Sequence, residues 1–475
     1  MPQPKERTSI EVSSERAILA AVRLPESVYD RTDPFGELRA LAEQAGAIVA
    51  GELTQNLVKP VSSTFMGSGK VAELKALCET LNASTIIFDH DLSPKQIANI
   101  EKETERKVID RSELILDIFA SRATTREAQL QVELAQVEYT LPRLRAMWTH
   151  LERIVGVGGI GGIGTRGPGE QQLEIDRRLA QGKRLDLVRE LEVIQARKRR
   201  EVRARKAEHF TVGLVGYTNA GKSTLFNTMT AGGAYADNRL FATLMTRTRE
   251  WELGGGLRVM LSDTVGFVRD LPHNLIASFK ATLEEAVHAD VLLIVIDIAD
   301  PAIDLHFKTV METLDELLAE AKRDAQAEGE SFRAPERIVL LNKADRLKDN
   351  AELLVWQQKM PGAIPICSLP AAEGTPPERL PMGQAELIGR IRDLAQGRVE
   401  ELEITIPFRQ AKAIHLIETQ GKVLDRTYEG DSVTFRVEIG RRQVESLRAG
   451  GARIRVAGER EPGGGVSWGR EEETA

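Results

Sequence analysis

Cysteine is nearly absent from this chain: Cys78 and Cys367 are the only two in 475 residues. Two thiols that far apart build neither a disulfide framework nor a cysteine-rich metal cluster, so both read as small buried hydrophobes. Long apolar runs are lacking as well. The longest, Val291 to Ile296, is closed by Asp297 and falls far short of the about 20 residues that cross a bilayer. The opening residues, Met1-Pro2-Gln3-Pro4-Lys5-Glu6-Arg7, carry no apolar segment and no small-residue cleavage site, which points to a protein that stays in the cytoplasm. An excess of positive charge is missing too. A net charge of −7 argues against nonspecific polyanion binding by the whole surface and leaves only local patches to consider.

What is present is the composition of a soluble globular protein, 42% hydrophobic and 28% charged, with ample apolar surface to bury. The length exceeds what one core sustains, so roughly three domains are expected. Short apolar runs at residues 17–24 and 84–89, with Ile86-Ile87-Phe88 among them, alternate with helix-like stretches at 34–45 and 69–81, and a further short strand falls at 107–110. This alternation predicts an α/β subdomain over 17–126 with a mainly parallel sheet, preceded by a disordered 1–16.

After Glu127 the period changes. Leu130, Leu134, Val137, Leu141, Leu144, Trp148 and Leu151 recur at spacings of four and three, the mark of a helix with one apolar seam. Pro142 lies inside it and predicts a kink. The glycine-rich stretch 156–169 is too poor in side chains for helix or packed strand and reads as a mobile loop. Residues 170–206 look helical again, with Leu173, Ala180, Leu187, Leu191 and Ile194 as a weaker stripe. Two such helices joined by the loop predict an antiparallel hairpin over 127–206. Its end, Arg197 to Lys206, reads RKRREVRARK with Glu201 as the only acid, a basic patch or a solvated helix face.

A doubly wound α/β domain is expected over 209–397, with strands at 210–215, 257–262, 291–297, 338–341 and 363–366. A small α/β domain follows at 400–457, with strands at 401–407, 423–428, 431–439 and 453–456, and a glycine- and glutamate-rich tail at 458–475 reads as disordered.

Gly216-Tyr217-Thr218-Asn219-Ala220-Gly221-Lys222-Ser223, continued by Thr224, fits G-x-x-x-x-G-K-[ST] between a strand and a helix, the context a phosphate-binding P-loop requires. Its backbone N–H groups and the helix N-terminus suit phosphate oxygens, Lys222 suits the β- and γ-phosphates, and the Ser223 hydroxyl suits Mg²⁺. Asp263-Thr264-Val265-Gly266 ends another strand: Asp263 is placed to hold Mg²⁺ through water, and the Gly266 N–H to meet the γ-phosphate. Between them, Phe241-Ala242-Thr243 offers Thr243 as the threonine that closes over Mg²⁺. Lys222, Thr243 and Gly266 are thus the expected catalytic set. Asn342-Lys343-Ala344-Asp345 decides the base: the Asp345 carboxylate accepts from the N1–H and exocyclic amine of guanine, whereas adenine presents an acceptor at N1. Cys367-Ser368-Leu369 is the candidate loop for the guanine carbonyl. Phe267 follows Gly266 where a water-orienting glutamine would serve, and phenylalanine cannot orient water by hydrogen bonding, so slow intrinsic hydrolysis is expected, accelerated by a partner or by K⁺ held in part by Asn219. A hydrogen bond that stabilises the loop is the alternative role for Asn219. Gly67-Ser68-Gly69-Lys70 lacks P-loop spacing and reads as a turn before a helix.

The motifs at 210–397 resemble the P-loop GTPase superfamily. Gly67 to Leu74, Leu92-Ser93-Pro94-Lys95-Gln96, Asp110-Arg111, Ile118-Phe119-Ala120, Gln131 to Ala135, Pro142-Arg143-Leu144, Gly161 to Glu170, Asp176-Arg177-Arg178 and DTVGFVRDLPHNL at 263–275 resemble the HflX family of GTPases over nearly all of 17–406. The resemblance implies a GTPase that binds the large ribosomal subunit, places the glycine loop and helix pair near the peptidyl transferase centre, and splits stalled ribosomes in its GTP state. Arg143, Arg145, Arg166, Arg177, Arg178, Arg197, Lys198, Arg199 and Arg200 are then the expected RNA contacts, beside a loop whose bare backbone can approach RNA closely. Met245-Thr246-Arg247-Thr248-Arg249 departs from the family's D-P-T-T-R, and Leu369 from its alanine. Residues 322–337, polar and charged, read as an exposed loop. A monomer is expected. Two other readings stay open: a nucleotide-gated adaptor for a membrane protease, and ATP-driven RNA remodelling by the N-terminal domain.

Overall fold

The computed structural model describes residues 15–25, 29, 33–143, 168–230, 246–254, 256–269, 285–327, 329, 332–347, 349, 351–370, 381–397, 399–449, 452 and 454–456. They fall into two compact units, the first made of 1–203, 211–249 and 260–385, the second of 204–210, 250–259 and 386–475.

In the first unit, strand β1 (Arg16–Arg23) is buried at every position after its first, as a strand covered on both faces must be. Around it alternate α1 (Gly36–Gln44), β2 (Ile48–Asn56), α2 (Ser68–Thr80), β3 (Thr85–Phe88), α3 (Pro94–Thr104), β4 (Lys107–Ile109) and α4 (Arg111–Arg122). The four-stranded sheet runs β2-β1-β3-β4 with parallel pairings throughout. β2 escapes the apolar-run criterion because it is an edge strand with a single buried residue, Leu53. The Ser93-Pro94-Lys95-Gln96 motif is a helix start: Gln96 N donates to Ser93 Oγ at 3.4 Å and Ser93 N to Gln96 Oε1 at 2.8 Å, a capping box with proline in the first turn of α3. Asp110 caps α4 in the same way, accepting from Glu113 N at 2.8 Å. Gly67 is the residue before α2, the turn expected there.

The hairpin consists of α5 (Arg126–Thr140) and α6 (Pro168–Glu208). Leu130 and Leu134 pack with Leu187 and Leu191, joined by Val137, Val188 and Ile194. Ion pairs Lys198–Glu127, Arg126–Glu190 and Lys183–Glu133 lie alongside, and their order shows the helices antiparallel. One expected boundary needs correction. Pro168 and Gly169 open α6 instead of closing the loop, since proline at a first helical position loses no hydrogen bond. The ladder of α5 ends at Thr140, where Arg143 N bonds Thr140 O at 2.8 Å in a tight turn around Pro142, which has no N–H to offer. The seam residues Leu144, Trp148 and Leu151 and the glycine loop up to Gly167 lie outside the described residues.

The second sheet is six-stranded, in the order β10-β9-β8-β5-β7-β6, from β5 (Thr211–Gly216), β6 (Arg247–Glu252), β7 (Arg258–Asp263), β8 (Val291–Asp297), β9 (Glu336–Asn342) and β10 (Ile364–Ile366), with α7 (Lys222–Met229), α8 (Ile303–Ala327) and α9 (Ala351–Lys359) between them. β5 pairs parallel with β8 on one side and β7 on the other, and β9 and β10 continue parallel beyond β8. The chain therefore winds outward in both directions from β5, which puts a ligand crevice at its C-terminal end. Residues 322–327 are helical, not loop: α8 runs on to Ala327 because no breaker intervenes.

The second unit carries α10 (Gln384–Gln396) over most of its length, then β11 (Val399–Pro407), α11 (Ala411–Gln420), β12 (Lys422–Glu429), β13 (Ser432–Gly440), α12 (Arg441–Ala449) and β14 (Arg455–Val456). Its four-stranded sheet runs β12-β13-β11-β14, all pairings antiparallel, a split βαβ arrangement. Ile404, Ile406, Val433, Phe435, Val437 and Ile439 pack with Ala413, Ile417 and Val444.

Asp110 is fully buried and ties the turn after α5 to the sheet: Leu92 N, Glu113 N, Tyr139 Oη and Arg143 Nη2 donate to it at 3.2, 2.8, 2.9 and 2.9 Å. Replacing it with alanine leaves the Arg143 guanidinium without its counter-charge and two backbone donors without an acceptor, so Asp110→Ala is expected to cost roughly 3 kcal/mol in chemical denaturation. Asp110→Asn, which keeps an acceptor at the cap, is expected to lose less.

Candidate functional site

The P-loop, 216–223, leaves the C-terminal end of β5 and runs into α7. Gly221 has φ of +97°, and a Cβ there would collide with Asn342 Nδ2, so the loop requires glycine at this point. Lys222 is 6% exposed; its Nζ donates to Gly216 O at 3.1 Å and Tyr217 O at 2.8 Å. Burial pulls its ammonium down to about 8, against the pull of Asp263. A phosphate anion beside it would restore the charged form.

Asp263, at the end of β7, is fully buried and accepts from Ser223 Oγ at 2.7 Å. Two hard oxygen donors thus adjoin at the start of α7, the donor chemistry a small divalent cation takes. Among the described residues, no group of three or more His, Cys, Asp or Glu side chains could hold a metal by itself. Thr264 is fastened to the sheet through Leu214 O at 2.6 Å, and Thr218 Oγ1 is buried with no protein partner. Gly266 lies hard against the loop: a Cβ on it would meet Lys222 Nζ and Thr218 Cγ2 at 2.9 Å. Phe267 N donates to Gly216 O at 3.0 Å and Phe267 O accepts from Thr218 N at 2.8 Å. The Phe267 side chain is 5% exposed and belongs to the apolar core, so it cannot orient water.

Asn342 and Lys343, at the end of β9, brace the P-loop. Asn342 Nδ2 donates to Ala220 O at 2.7 Å and its Oδ1 accepts from Ser368 Oγ at 2.7 Å. Lys343, with φ of +61°, donates to Asn219 O at 2.8 Å and pairs with Asp297 at 2.6 Å. Asp345 is left exposed, with the Cys367 thiol beside it; burial pushes that thiol up, and Asp345 adds to the effect. Ser368 O accepts from Thr228 Oγ1 at 2.8 Å, and the buried Gln384 amide donates to Cys367 O and Leu369 O at 2.8 and 2.9 Å.

Gly216 to Thr224, Asp263 to Gly266, Asn342 to Asp345 and Cys367 to Leu369 are therefore brought together at one end of one sheet. Phe241, Ala242 and Thr243 lie outside the described residues, as do Arg145 and Arg166. Asn219 is exposed and adopts φ of +61°, a conformation asparagine tolerates. Of the expected RNA contacts, Arg177, Arg178, Arg197 and Arg200 are exposed on α6 and Arg199 is half-buried. Arg143 is also engaged within the chain: its guanidinium is held by Asp110, Leu92 O and Tyr139 O and stacks 3.4 Å over the Tyr139 ring. Lys198 likewise pairs with Glu127 at 3.2 Å. Asp297, Gln384, Asp89, Glu37 and His306 escaped the sequence reading, because their partners lie far away in sequence.

A phosphate loop, a strand-end aspartate and a base-selecting Asn-Lys-x-Asp on one doubly wound sheet define a P-loop GTPase. Three families match: "GTP-binding GTPase N-terminal" at 32–120, "GTP-binding GTPase Middle Region" at 122–206 and "50S ribosome-binding GTPase" at 211–343. The chain is 39% identical to the GTPase HflX of Lacrimispora saccharolytica over 88% of its length and 92% of the relative's. It is 43% identical to the GTPase HflX of Escherichia coli (strain K12) over 71% and 75%. A GTP-binding protein of Sulfolobus solfataricus, solved with GDP, is 24% identical over 80% of this chain and 98% of its own, with a TM-score of 0.38. The chain belongs to the HflX family of GTPases, and it binds and hydrolyses GTP.

Removing the Asn342 side chain deletes the brace under Ala220 and leaves Ser368 Oγ without its acceptor. Asn342→Ala is expected to weaken GTP and GDP by a similar factor, roughly 10-fold to 100-fold, for two buried hydrogen bonds. Equilibrium titration with a fluorescent guanine nucleotide checks this.

Proposed function

We propose that the chain is a GTP-gated factor of the large ribosomal subunit that splits stalled ribosomes under stress. The supporting observation is the joining, in one chain, of the guanine-selective pocket to a helical hairpin whose α6 presents Arg177, Arg178, Arg197 and Arg200 to solvent. The family matched at 211–343, described as a 50S ribosome-binding GTPase, supports the same reading. No helix among the described residues is long and apolar enough to cross a membrane, and the cytoplasm, with the protein as a monomer, is the proposed setting.

In this reading the backbone of 216–223 cradles the phosphates, Lys222 meets their β- and γ-oxygens, and Thr224 closes the first turn of α7. Asp345 accepts from guanine, flanked by Cys367, Ser368 and Leu369. Ser223 and Asp263, with Thr243, would hold Mg²⁺, which when bound neutralises charge developing on the phosphate oxygens. Gly266 offers its N–H where the γ-phosphate lies; Tyr217 and Val265 belong to the same two motifs, and Phe241 and Ala242 are proposed to accompany Thr243. With Phe267 in the core, water is oriented from outside the chain, by the ribosome or by K⁺ at the exposed Asn219.

GTP turnover measured with and without purified large subunits tests the proposal. Stimulation of at least about 10-fold is expected, weakening steeply as salt rises, and a variant lacking residues 156–169 is expected to lose it while keeping its basal rate. Absence of stimulation at low salt would remove the ribosome from the account.

A further inference from the structure

The roles assigned to single residues stop at Phe267, but the hydrogen bonds do not. Arg269 N donates to Tyr217 Oη at 2.8 Å, and Tyr217 Oη donates to Glu37 Oε2 at 3.0 Å. The Arg269 guanidinium meets both oxygens of Asp89 at 3.0 Å, and its carbonyl accepts from Arg111 Nε and Nη2 at 3.3 and 3.1 Å. Asp89 and Arg111, each 1% exposed, pair at 2.8 Å; Arg111 also pairs with Glu37, and Arg23 with Asp89 at 3.1 Å. Asp89 directly follows β3 and Arg111 begins α4, so this cluster belongs to the N-terminal sheet. Tyr217 belongs to the P-loop, and Arg269 stands three residues beyond Gly266.

Burial alone would raise the Asp89 carboxyl, yet Arg111, Arg269 and Arg23 together hold it below the usual carboxylate range. The carboxylate is therefore ionised, and so buried a charge keeps its guanidinium partners in place. The Tyr217 ring is stacked 3.8 Å from His306 at 17°, which fixes where the hydroxyl points. The segment 266–269 is thus held at both ends: by its backbone at Gly216 and Thr218, and by Tyr217 and the Asp89 cluster at Arg269.

We propose that Tyr217 and Arg269 are positioning residues for hydrolysis, which fasten the Gly266-Phe267 segment to the P-loop and tie its position to the N-terminal sheet through Asp89, Arg111 and Glu37. Neither side chain touches the phosphate space; each acts through Gly266. The inference rests on the assignment of Gly266 to the γ-phosphate made above. It makes the N-terminal sheet part of the GTPase site, since any shift of 266–269 on gaining or losing the γ-phosphate must pull on a buried ionic cluster.

Steady-state GTP turnover and GDP affinity, measured on the full chain, test it. Tyr217→Phe removes one hydroxyl and leaves the stacked ring; Arg269→Ala removes the guanidinium. Each is expected to lower kcat roughly 10-fold while KM and GDP affinity move less than about threefold, the pattern of an interaction that matters in the transition state. Arg269→Lys is expected to recover part of the loss, and the double variant to be no slower than the slower single one, because both act through one fastening. Asp89→Asn, remote from the nucleotide, is expected to reproduce the Arg269→Ala kinetics. Unchanged kcat in Tyr217→Phe and Arg269→Ala overturns the proposal, as does a fall in GDP affinity matching the fall in kcat, or full additivity in the double variant. Wild-type protein without GTP turnover would overturn the GTPase reading itself, a different outcome from normal turnover in every variant.

Discussion

The site depends first on the bracing of an otherwise hollow loop. A P-loop works by aiming several backbone N–H groups at a space that holds nothing until nucleotide arrives, and such an array repels itself electrostatically. Here the carbonyl side of the same loop is tied down. Ala220 O and Asn219 O are bonded to Asn342 and Lys343 at 2.7 and 2.8 Å, and Gly216 O and Tyr217 O to Lys222. With its carbonyls held from behind, the loop keeps its amides facing forward, and the exposed Asp345 is the member of the Asn-Lys-x-Asp motif proposed to choose the base.

That arrangement places the proposed base selector and the phosphate loop in one body, because the brace and Asp345 are neighbours at one strand end. The loop at 367–369 joins the same body through Ser368 and through Gln384 beneath it. On the opposite side of the phosphate space the contacts change character. Gly266 and Phe267 are attached by backbone hydrogen bonds, and behind them stands the ionic cluster around Asp89. One wall of the site is therefore braced within its own sheet, whereas the other is fastened to a second sheet whose charges are buried and mutually dependent.

Much of this was legible from residue order. The P-loop, the strand-end aspartate and the guanine motif are short and local, with identities forced by backbone conformation or by hydrogen-bond complementarity, so spacing alone exposes them. The antiparallel hairpin followed from apolar period, and Leu130, Leu134, Leu187 and Leu191 do meet. The edge strand β2 and strand β6 went unseen because edge positions need no apolar run. Residues 322–327 looked like loop because polarity was mistaken for lack of structure, although charged residues extend helices readily. Not legible was the second engagement of Arg143, with Asp110 and the Tyr139 ring, since neither partner is marked by a local pattern. Least visible was the Asp89–Arg269 pair, separated by 180 positions; no local pattern encodes such a contact.

Competition between GTP and ATP for the purified chain at millimolar Mg²⁺ tests the account most directly. A pocket in which Asp345 must receive two donors rejects a base that offers an acceptor instead, so GTP is expected to bind at least about a thousandfold more tightly. Comparable affinities for the two nucleotides would contradict the assignment of Asp345, and with it the joining of phosphate cradle and base selector into one site.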